Sequence, residues 1–310
     1  MPMSINHNGD YVLIVCPNPS VDIYAWVDDF STGSTNRIKK EERYPGGKGV
    51  HVAMALSELG IEVVLLGFWG SVTGKWIKEE CNYYYPKIKC IGPELAGWSR
   101  SCYTFKSDSD FDDTELLGTG PEITIENIDR FHKFHDEYLA NASTQVLSGS
   151  WPKGANGNEY RKMVEKANSL TIPSFIDCTG NQLENVVKEN PYCIHLNRSE
   201  VTSFTKTDNF ETAINKISKN CQVAAITDGA NGLYYYNGAE TLHSLAKISE
   251  VYSTIGSGDC LLAGIIAGNI NNDTDQDIAN LGAACGAANC LRPELGMLRK
   301  SDVEKLLEQI

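Results

Sequence analysis

The segment Ser253-Thr254-Ile255-Gly256-Ser257-Gly258-Asp259 sets a carboxylate inside a glycine turn, just ahead of an apolar run over 260–268 that reads as a helix. Such a turn leaves several backbone N–H groups unpaired and aimed at one point, an anion site made of backbone. A fixed negative charge is costly in a site built for phosphate unless it acts on something. The chemistry open to Asp259 is to take a proton from a hydroxyl beside the phosphate. The plain alternative is an aspartate that caps a helix after a turn. Toward the other end stands Tyr44-Pro45-Gly46-Gly47-Lys48-Gly49-Val50-His51-Val52-Ala53, leading into an amphipathic stretch through residue 59. Paired glycines let a ligand approach the backbone closely, and a Lys and an imidazole follow at the helix start. Neither this segment nor Gly70-Ser71-Val72-Thr73-Gly74-Lys75 has the spacing of a Walker A loop. The second reads as a strand–turn–helix connection.

The elements that must position these residues follow from hydrophobic patterning. Short apolar runs at 12–16, 63–68, 145–148, 174–177, 193–196 and 223–227 predict strands buried on both faces. Helical patterns at 51–59, 125–139, 159–167, 213–219, 260–269 and 277–290 lie between them. That alternation predicts an α/β fold with a parallel sheet and crossover helices. In such sheets ligands bind beyond the carboxyl ends of the strands, and several of the motifs directly follow predicted strands. Two stretches, 22–43 and 101–117, break the rhythm with extended polar–apolar alternation, and Tyr24, Trp26 and Phe30 would give the first an apolar face. They predict a small projecting sheet, or otherwise a hairpin packed on the core.

Together the two glycine segments resemble the N-terminal Gly-Gly-Lys-Gly and C-terminal Gly-Ala/Ser-Gly-Asp signatures of the ribokinase-like carbohydrate kinases, the phosphofructokinase-B family. Leu147-Ser148-Gly149-Ser150-Trp151-Pro152-Lys153-Gly154, Asn197-Arg198-Ser199-Glu200 and Ile226-Thr227-Asp228-Gly229-Ala230-Asn231-Gly232 are also family-like and stand in the family's order. The resemblance thus covers nearly the whole chain. Pro17-Asn18-Pro19-Ser20-Val21-Asp22 is similar to the family's hexose-phosphate kinases, 1-phosphofructokinase and tagatose-6-phosphate kinase.

The resemblance implies one ribokinase-like domain over 1–310, its mainly parallel central sheet flanked by helices, with a β-sheet lid from about 22–43 and 101–117. It implies ATP and Mg²⁺ as cofactors. Asp259 would be the general base, and the N–H groups of Gly256, Ser257 and Gly258 the hole for the transferring phosphoryl group. Asn197 and Glu200 would hold a Mg²⁺–phosphate–water network, Glu200 reaching the metal through water; from spacing alone they are equally an N-cap and its capping-box partner. Asp22 would bind sugar hydroxyls, with Gly47 letting the sugar lie against the backbone. Thr227, Gly229 and Gly232 would line the nucleotide, and Asn289 would border the adenine. Arg37, Lys48 and Arg100 are the candidate cations for a sugar phosphate, because an Arg fork suits phosphate. A lone surface Arg is otherwise simply solvated. Convergence of the three on one point would favour a phosphorylated substrate.

Three positions depart from the family pattern. His51 stands where Asn is usual; it can still donate to a hydroxyl or phosphate, and it adds pH sensitivity. His195 stands where many relatives carry a Lys facing the nucleotide, and Asp228 where an apolar residue is common.

The 310 residues are 42% hydrophobic and 22% charged, ordinary for a soluble globular protein. A net charge of −13 argues against a nucleic-acid surface, which needs a basic stripe. It also means that a phosphate must be attracted by a local cluster. Residues 1–10 are polar and the first apolar run is strand-length, so no signal peptide is expected. No stretch approaches the ~20 apolar residues of a membrane span. Ten Cys without a C-x-x-C pair read as reduced core thiols, which predicts a cytoplasmic protein. His132 and His135 share a helix face without further ligands nearby and read as no metal site.

The expectation is an ATP- and Mg²⁺-dependent kinase that converts fructose 1-phosphate, fructose 6-phosphate or tagatose 6-phosphate to a bisphosphate. It would bind no nucleic acid or membrane, and its lid would serve as a homodimer contact. One alternative is a kinase of an unphosphorylated sugar or nucleoside, because a fold does not set a substrate. Another is a non-catalytic sugar- or nucleotide-binding protein, which the intact Asp259 and its glycines oppose.

Overall fold

The computed structural model describes residues 9–28, 30–108 and 111–310. The first part of the chain forms β1 (Tyr11–Val15), β2 (Ser20–Trp26), β3 (Lys40–Gly46), α1 (Lys48–Glu58), β4 (Val63–Leu66), β5 (Trp69–Gly70) and α2 (Ser71–Tyr84). There follow β6 (Ile88–Ile91), β7 (Glu94–Leu95), β8 (Arg100–Lys106), β9 (Thr114–Leu117), α3 (Ile125–Leu139), β10 (Ala142–Ser148), α4 (Glu159–Ser169), β11 (Ser174–Asp177) and α5 (Gly180–Val186). The remainder comprises β12 (Cys193–Asn197), α6 (Arg198–Thr205), α7 (Phe210–Ile217), β13 (Val223–Thr227), β14 (Leu233–Tyr236), β15 (Thr241–Ser244), α8 (Ser257–Asn271), α9 (Asp275–Cys290) and α10 (Lys300–Leu307).

The central sheet runs β15-β14-β13-β12-β11-β10-β1-β4-β6. From β6 to β13 every pairing is parallel, while β14 and β15 are added antiparallel at one edge. Its inner strands, β1, β4, β10, β11, β12 and β13, are buried almost throughout, as their continuous apolar runs require, while the edge strands β6, β14 and β15 are partly exposed. In β1, Val12 and Ile14 pack with α1, α8 and α9, whereas Leu13 and Val15 face the cluster that includes residues of α3, α4 and α7. Full burial of each such side chain contributes about 1.5–3 kcal/mol. Helix α8 is apolar nearly all round and buried from Asp259 through Asn269 between its neighbours, as expected of an internal helix.

The segments 22–43 and 101–117 contribute to a second, four-stranded sheet of order β3-β2-β8-β9. β2 and β8 run parallel from Ser20↔Arg100 to Trp26↔Lys106, and the outer pairs are antiparallel. This arrangement replaces the alternative of a lone hairpin. Tyr24 is fully buried against Trp26 and Tyr44, while Phe30 packs on Phe105 and Phe111. The strand–turn–helix connection expected at 70–75 passes from β5 directly into α2, which holds Gly74 against Trp69. Among the described residues no helix is long and apolar enough to cross a membrane.

The outer strands of the small sheet are thinly covered: β9 is exposed throughout, and β3 is buried only at Pro45 and Gly46. Backbone with few buried contacts opens easily. Acting as a lid, the sheet should show fast amide exchange at 40–44 and 114–117 in the free protein and protection once sugar phosphate and a nonhydrolysable ATP analogue are added. Protection equal to that of β1 without ligand would make the sheet a fixed wall.

Candidate active site

The order of the central sheet reverses between β1 and β10: β4 and β6 extend on one side, β11 to β13 on the other. Such a reversal opens a crevice beyond the strand carboxyl ends. A cleft of about 1400 Å³ lies there, lined by residues that follow β1, β10, β11, β12 and β13 and by the first turns of α1 and α8. That volume exceeds the 300–1,000 Å³ usual for one small ligand, so a nucleotide and a second molecule fit together.

The catalytic-turn candidate closes one wall. Gly256 caps α8 with φ 83°, a left-handed conformation suited to glycine. A Cβ there would stand 2.5 Å from Cα of Gly296, so the approach of the 291–299 loop also demands glycine. Of the three expected N–H donors, that of Ser257 donates to the Thr254 carbonyl at 3.2 Å. Those of Gly256 and Gly258 carry no such bond, and they open onto the cleft. Asn289, expected beside the adenine, is instead buried behind the turn and absent from the cleft lining. Its Nδ2 donates to the Ile255 carbonyl at 3.0 Å, so its side chain fixes the turn.

Asp259 is buried, and its Oδ2 lies 2.9 Å from Nδ1 of His51. The other ring nitrogen of His51 lies 3.3 Å from Oδ2 of Asp22. Burial works against charge on His51, but the two carboxylates outweigh it and raise its pKa to about 10. Burial likewise pushes Asp22 up, yet His51 and a 2.6 Å bond from the Ser20 hydroxyl hold it below its ordinary value. For Asp259 the balance is reversed: burial raises its pKa despite the pull of His51. Asp22 sits over Gly46, where a Cβ would stand 2.0 Å from its Cγ. Gly46 therefore admits the carboxylate, and Gly47, at φ 100°, turns the chain into α1.

A second network lies across the cleft. Lys48 donates to Oδ1 of the fully buried Asp177 at 3.0 Å and stands 3.8 Å from Oε1 of Glu200. Asp177 keeps Lys48 charged by raising its pKa. Burial alone would raise that of Asp177, but Lys48 and His195 hold it well below the carboxylate range. His195 is buried, 3.6 Å from Asp177, with neither ring nitrogen hydrogen-bonded. Gly258 leaves room for it, since a Cβ there would stand 3.1 Å from its Cε1.

Asn197 and Glu200 form a reciprocal capping box at the start of α6, using Oδ1 and Oε2, with bonds of 2.8 and 2.9 Å. Oε1 of Glu200 stays free of the box. Thr227, Gly229 and Gly232 line the cleft at the end of β13. The acid at 228 pairs with Arg198 at 2.6 Å rather than facing a ligand. Arg100 opens β8 at the cleft, its Nε donating to the Asn18 carbonyl at 3.1 Å.

Arg37 does not join these groups. It lies exposed in the loop between β2 and β3, outside the cleft lining, because nothing in that polar loop draws it toward the strand ends. Sequence reasoning missed Asp177 and Gly296. Asp177 ends a predicted strand as the motif residues do, and that placement was its only signal. His132 bonds Glu159 at 2.6 Å and His135 bonds Gln145 at 2.8 Å.

Comparison with known proteins shows the chain's family and fold. The model of the pfkB family of carbohydrate kinases matches residues 17–299, and the chain belongs to that family. It is 28% identical to a tagatose-6-phosphate kinase of Staphylococcus epidermidis, over 96% of this chain and 98% of the relative. Its fold superposes on phosphofructokinase-2 of Escherichia coli in complex with substrates and products with a TM-score of 0.88 at 17% identity, covering 96% and 99% of the two chains. A possible 1-phosphofructokinase of Thermotoga maritima gives a TM-score of 0.86 at 23% identity, covering 96% and 97%. The protein is thus a carbohydrate kinase of ribokinase-like fold.

Asp177→Ala should take from the Lys48 ammonium its hydrogen-bonded partner, leaving Glu200 3.8 Å away. Breaking a fully buried pair costs about 3–5 kcal/mol. The Lys48 side chain is 43% exposed, so water recovers part of that and about 1–3 kcal/mol is expected in urea unfolding at pH 7. Because the folded pKa of Asp177 is depressed, this stabilisation is present above the unfolded value near 3.9 and is lost as pH falls through the folded one. The wild-type and Asp177→Ala unfolding midpoints should therefore converge in acid; a constant gap would remove the ion pair as its cause.

Proposed function

We propose that this kinase transfers the γ-phosphoryl group of ATP to a phosphorylated ketohexose, giving a bisphosphate. Fructose 1-phosphate, fructose 6-phosphate and tagatose 6-phosphate are the candidate acceptors. The observation that carries the reading is the carboxylate of Asp259 inside a turn whose Gly256 and Gly258 N–H groups are free, tied through His51 to Asp22. Asp22 holds sugar hydroxyls, Asp259 takes the proton of the attacking one, and the free amides receive the charge on the transferring group. Thr227, Gly229 and Gly232 line the nucleotide.

The hard oxygen of Glu200 Oε1, outside the capping box and near Lys48, suits Mg²⁺ held through water. When bound, Mg²⁺ would offset the negative charge of the phosphates. Arg100 receives the sugar's own phosphate. The similarity to tagatose-6-phosphate kinases supports this acceptor class. The ten free thiols support a reducing, cytoplasmic setting. The open edge of β9, with exposed Leu116 and Leu117, supports a homodimer formed through the lid.

One observation favours an unphosphorylated sugar or nucleoside as acceptor. Of the three expected cations, Arg37 lies outside the cleft and Lys48 is held by Asp177. A coupled ADP-release screen over phosphorylated and free ketohexoses, pentoses and nucleosides separates the two readings. Turnover of the hexose phosphates alone upholds the first, and turnover of free sugars alone replaces it.

Asp259→Asn should lower single-turnover phosphoryl transfer by about 10²–10⁴ while nucleotide binding persists; a near wild-type rate in the folded variant would remove the base role. Arg100→Ala should weaken sugar-phosphate binding by roughly 1.5–3 kcal/mol, the worth of a charge-assisted contact, and leave nucleotide affinity unchanged. Calorimetry with each ligand measures both, and equal effects would take Arg100 out of the sugar site.

A further inference from the structure

His51 lies between two carboxylates to which the proposed reaction gives different tasks. Nδ1 is 2.9 Å from Asp259 and Nε2 is 3.3 Å from Asp22, on opposite sides of a ring that is 5% exposed. A neutral imidazole carries one N–H and one lone pair. In this slot it would turn the lone pair on one carboxylate or the other. Nδ1 is hydrogen-bonded to Asp259, whereas Nε2 stands at ion-pair distance from Asp22 without a hydrogen bond of its own; a donor facing each carboxylate is the imidazolium. An asparagine is uncharged and has both its N–H bonds on one atom, so it cannot face carboxylates at opposite ends.

The ring is also held by backbone. Gly296 lies against it, and a Cβ there would stand 2.3 Å from both Cγ and Cδ2 of the imidazole. The same glycine packs on Gly256 of the catalytic turn. The imidazole, the 291–299 loop and the turn that carries Asp259 therefore form one stack, and the ring cannot swing aside without moving the turn.

We propose that His51 is the positioning residue of the active site, an imidazolium that ties the base Asp259 to the hydroxyl-binding Asp22 and so fixes the proton acceptor relative to the sugar. This rests on the reading of Asp259 as the base. Two carboxylates alone would separate by repulsion, and each would drift from the geometry that in-line transfer needs. Other charges face this group. Glu115 of β9 adds negative charge near Asp22 and His51, Arg100 of β8 faces Asp22, and Lys48 of α1 and Asp177 of β11 act on Asp259.

The pH dependence has a definite sign. Activity requires Asp259 ionised and His51 protonated. With the folded pKa of His51 raised to about 10, the wild-type rate should hold through neutral pH and fall toward pH 10. Taking away the imidazolium leaves burial and the charge of Asp177 opposed by Lys48 at Asp259, so the acid limb must move to higher pH while the alkaline limb disappears.

The test uses the full chain with ¹⁵N-labelled histidine. His51, assigned by loss of its signals in His51→Asn, should show both ring nitrogens protonated at pH 7–8 and titrate lower in Asp22→Asn. A neutral ring at pH 7 overturns the proposal whatever the substrate proves to be. In kinetics with fructose 1-phosphate, fructose 6-phosphate and tagatose 6-phosphate, His51→Asn should lower kcat about 10²-fold and shift the acid limb upward. Gly296→Ala, which keeps the imidazole but crowds it, should lower kcat in the wild-type background and do so less in His51→Asn. A wild-type profile in His51→Asn, with Asp259→Asn inactive, sinks the positioning role and leaves the base in place. Full activity of Asp259→Asn sinks the base itself, and the protonation measurement still decides the charge on His51.

Discussion

Carboxylates shielded from water repel one another, and this chain, already at −13, gathers Asp22, Asp177 and Asp259 around one cleft. Such a grouping stands only when cations are buried with it. Both come from the first turn of α1: His51 between Asp22 and Asp259, and Lys48 on Asp177. Each carboxylate belongs to a different layer. Asp22 is on the small sheet, Asp177 ends a central strand, and Asp259 opens the internal helix α8. One helical turn therefore holds three layers in register through charge, and the same charges would do the chemistry.

Close approach is the second constraint, and it serves the first. Bringing a histidine ring within reach of two carboxylates requires that nothing project from Gly296. Seating Asp22 over the β3–α1 junction requires the same of Gly46. At Gly296 the left-handed φ of 61° asks for glycine as well, but at Gly46 backbone conformation does not. Gly46 belongs to a regular strand, and what it lacks is space for a Cβ.

Much of this was legible because the relevant signals are local. Strands buried on both faces read as apolar runs, and α3 matches its predicted span because Thr124 and Asn127 cap it reciprocally. The Gly256–Asp259 turn was readable because free amides follow from chain geometry at a helix start. What escaped depends on contacts distant in sequence. Asp177 acquires meaning only from Lys48, 129 residues away. Asn289 is spent on the Ile255 carbonyl, an assignment that its place on a helix could not reveal. The connection at 70–75 was legible, but that α2 begins at Ser71 with Gly74 inside it depends on the packing of Gly74 against Trp69. Asp228 looked anomalous until Arg198, from the end of the neighbouring strand, was seen to pair with it.

The groups that make phosphoryl transfer work are not the groups that choose an acceptor, and this cleft separates them physically. The glycine turn, Asp259 and His51 would serve any hydroxyl brought to them. An acceptor's own phosphate must be recognised by cations, and those in the lining are mostly committed. Lys48 is held by Asp177, and Lys247 lines the cleft past β15. Arg100 remains, with only its Nε engaged, by the Asn18 carbonyl, so its guanidinium retains the paired donors that a phosphate takes. Glu115, across the small sheet from it, faces the same pocket with the opposite charge. On the proposed reading, the choice between a phosphorylated and a free sugar would rest on how these two side chains balance, which family membership does not set.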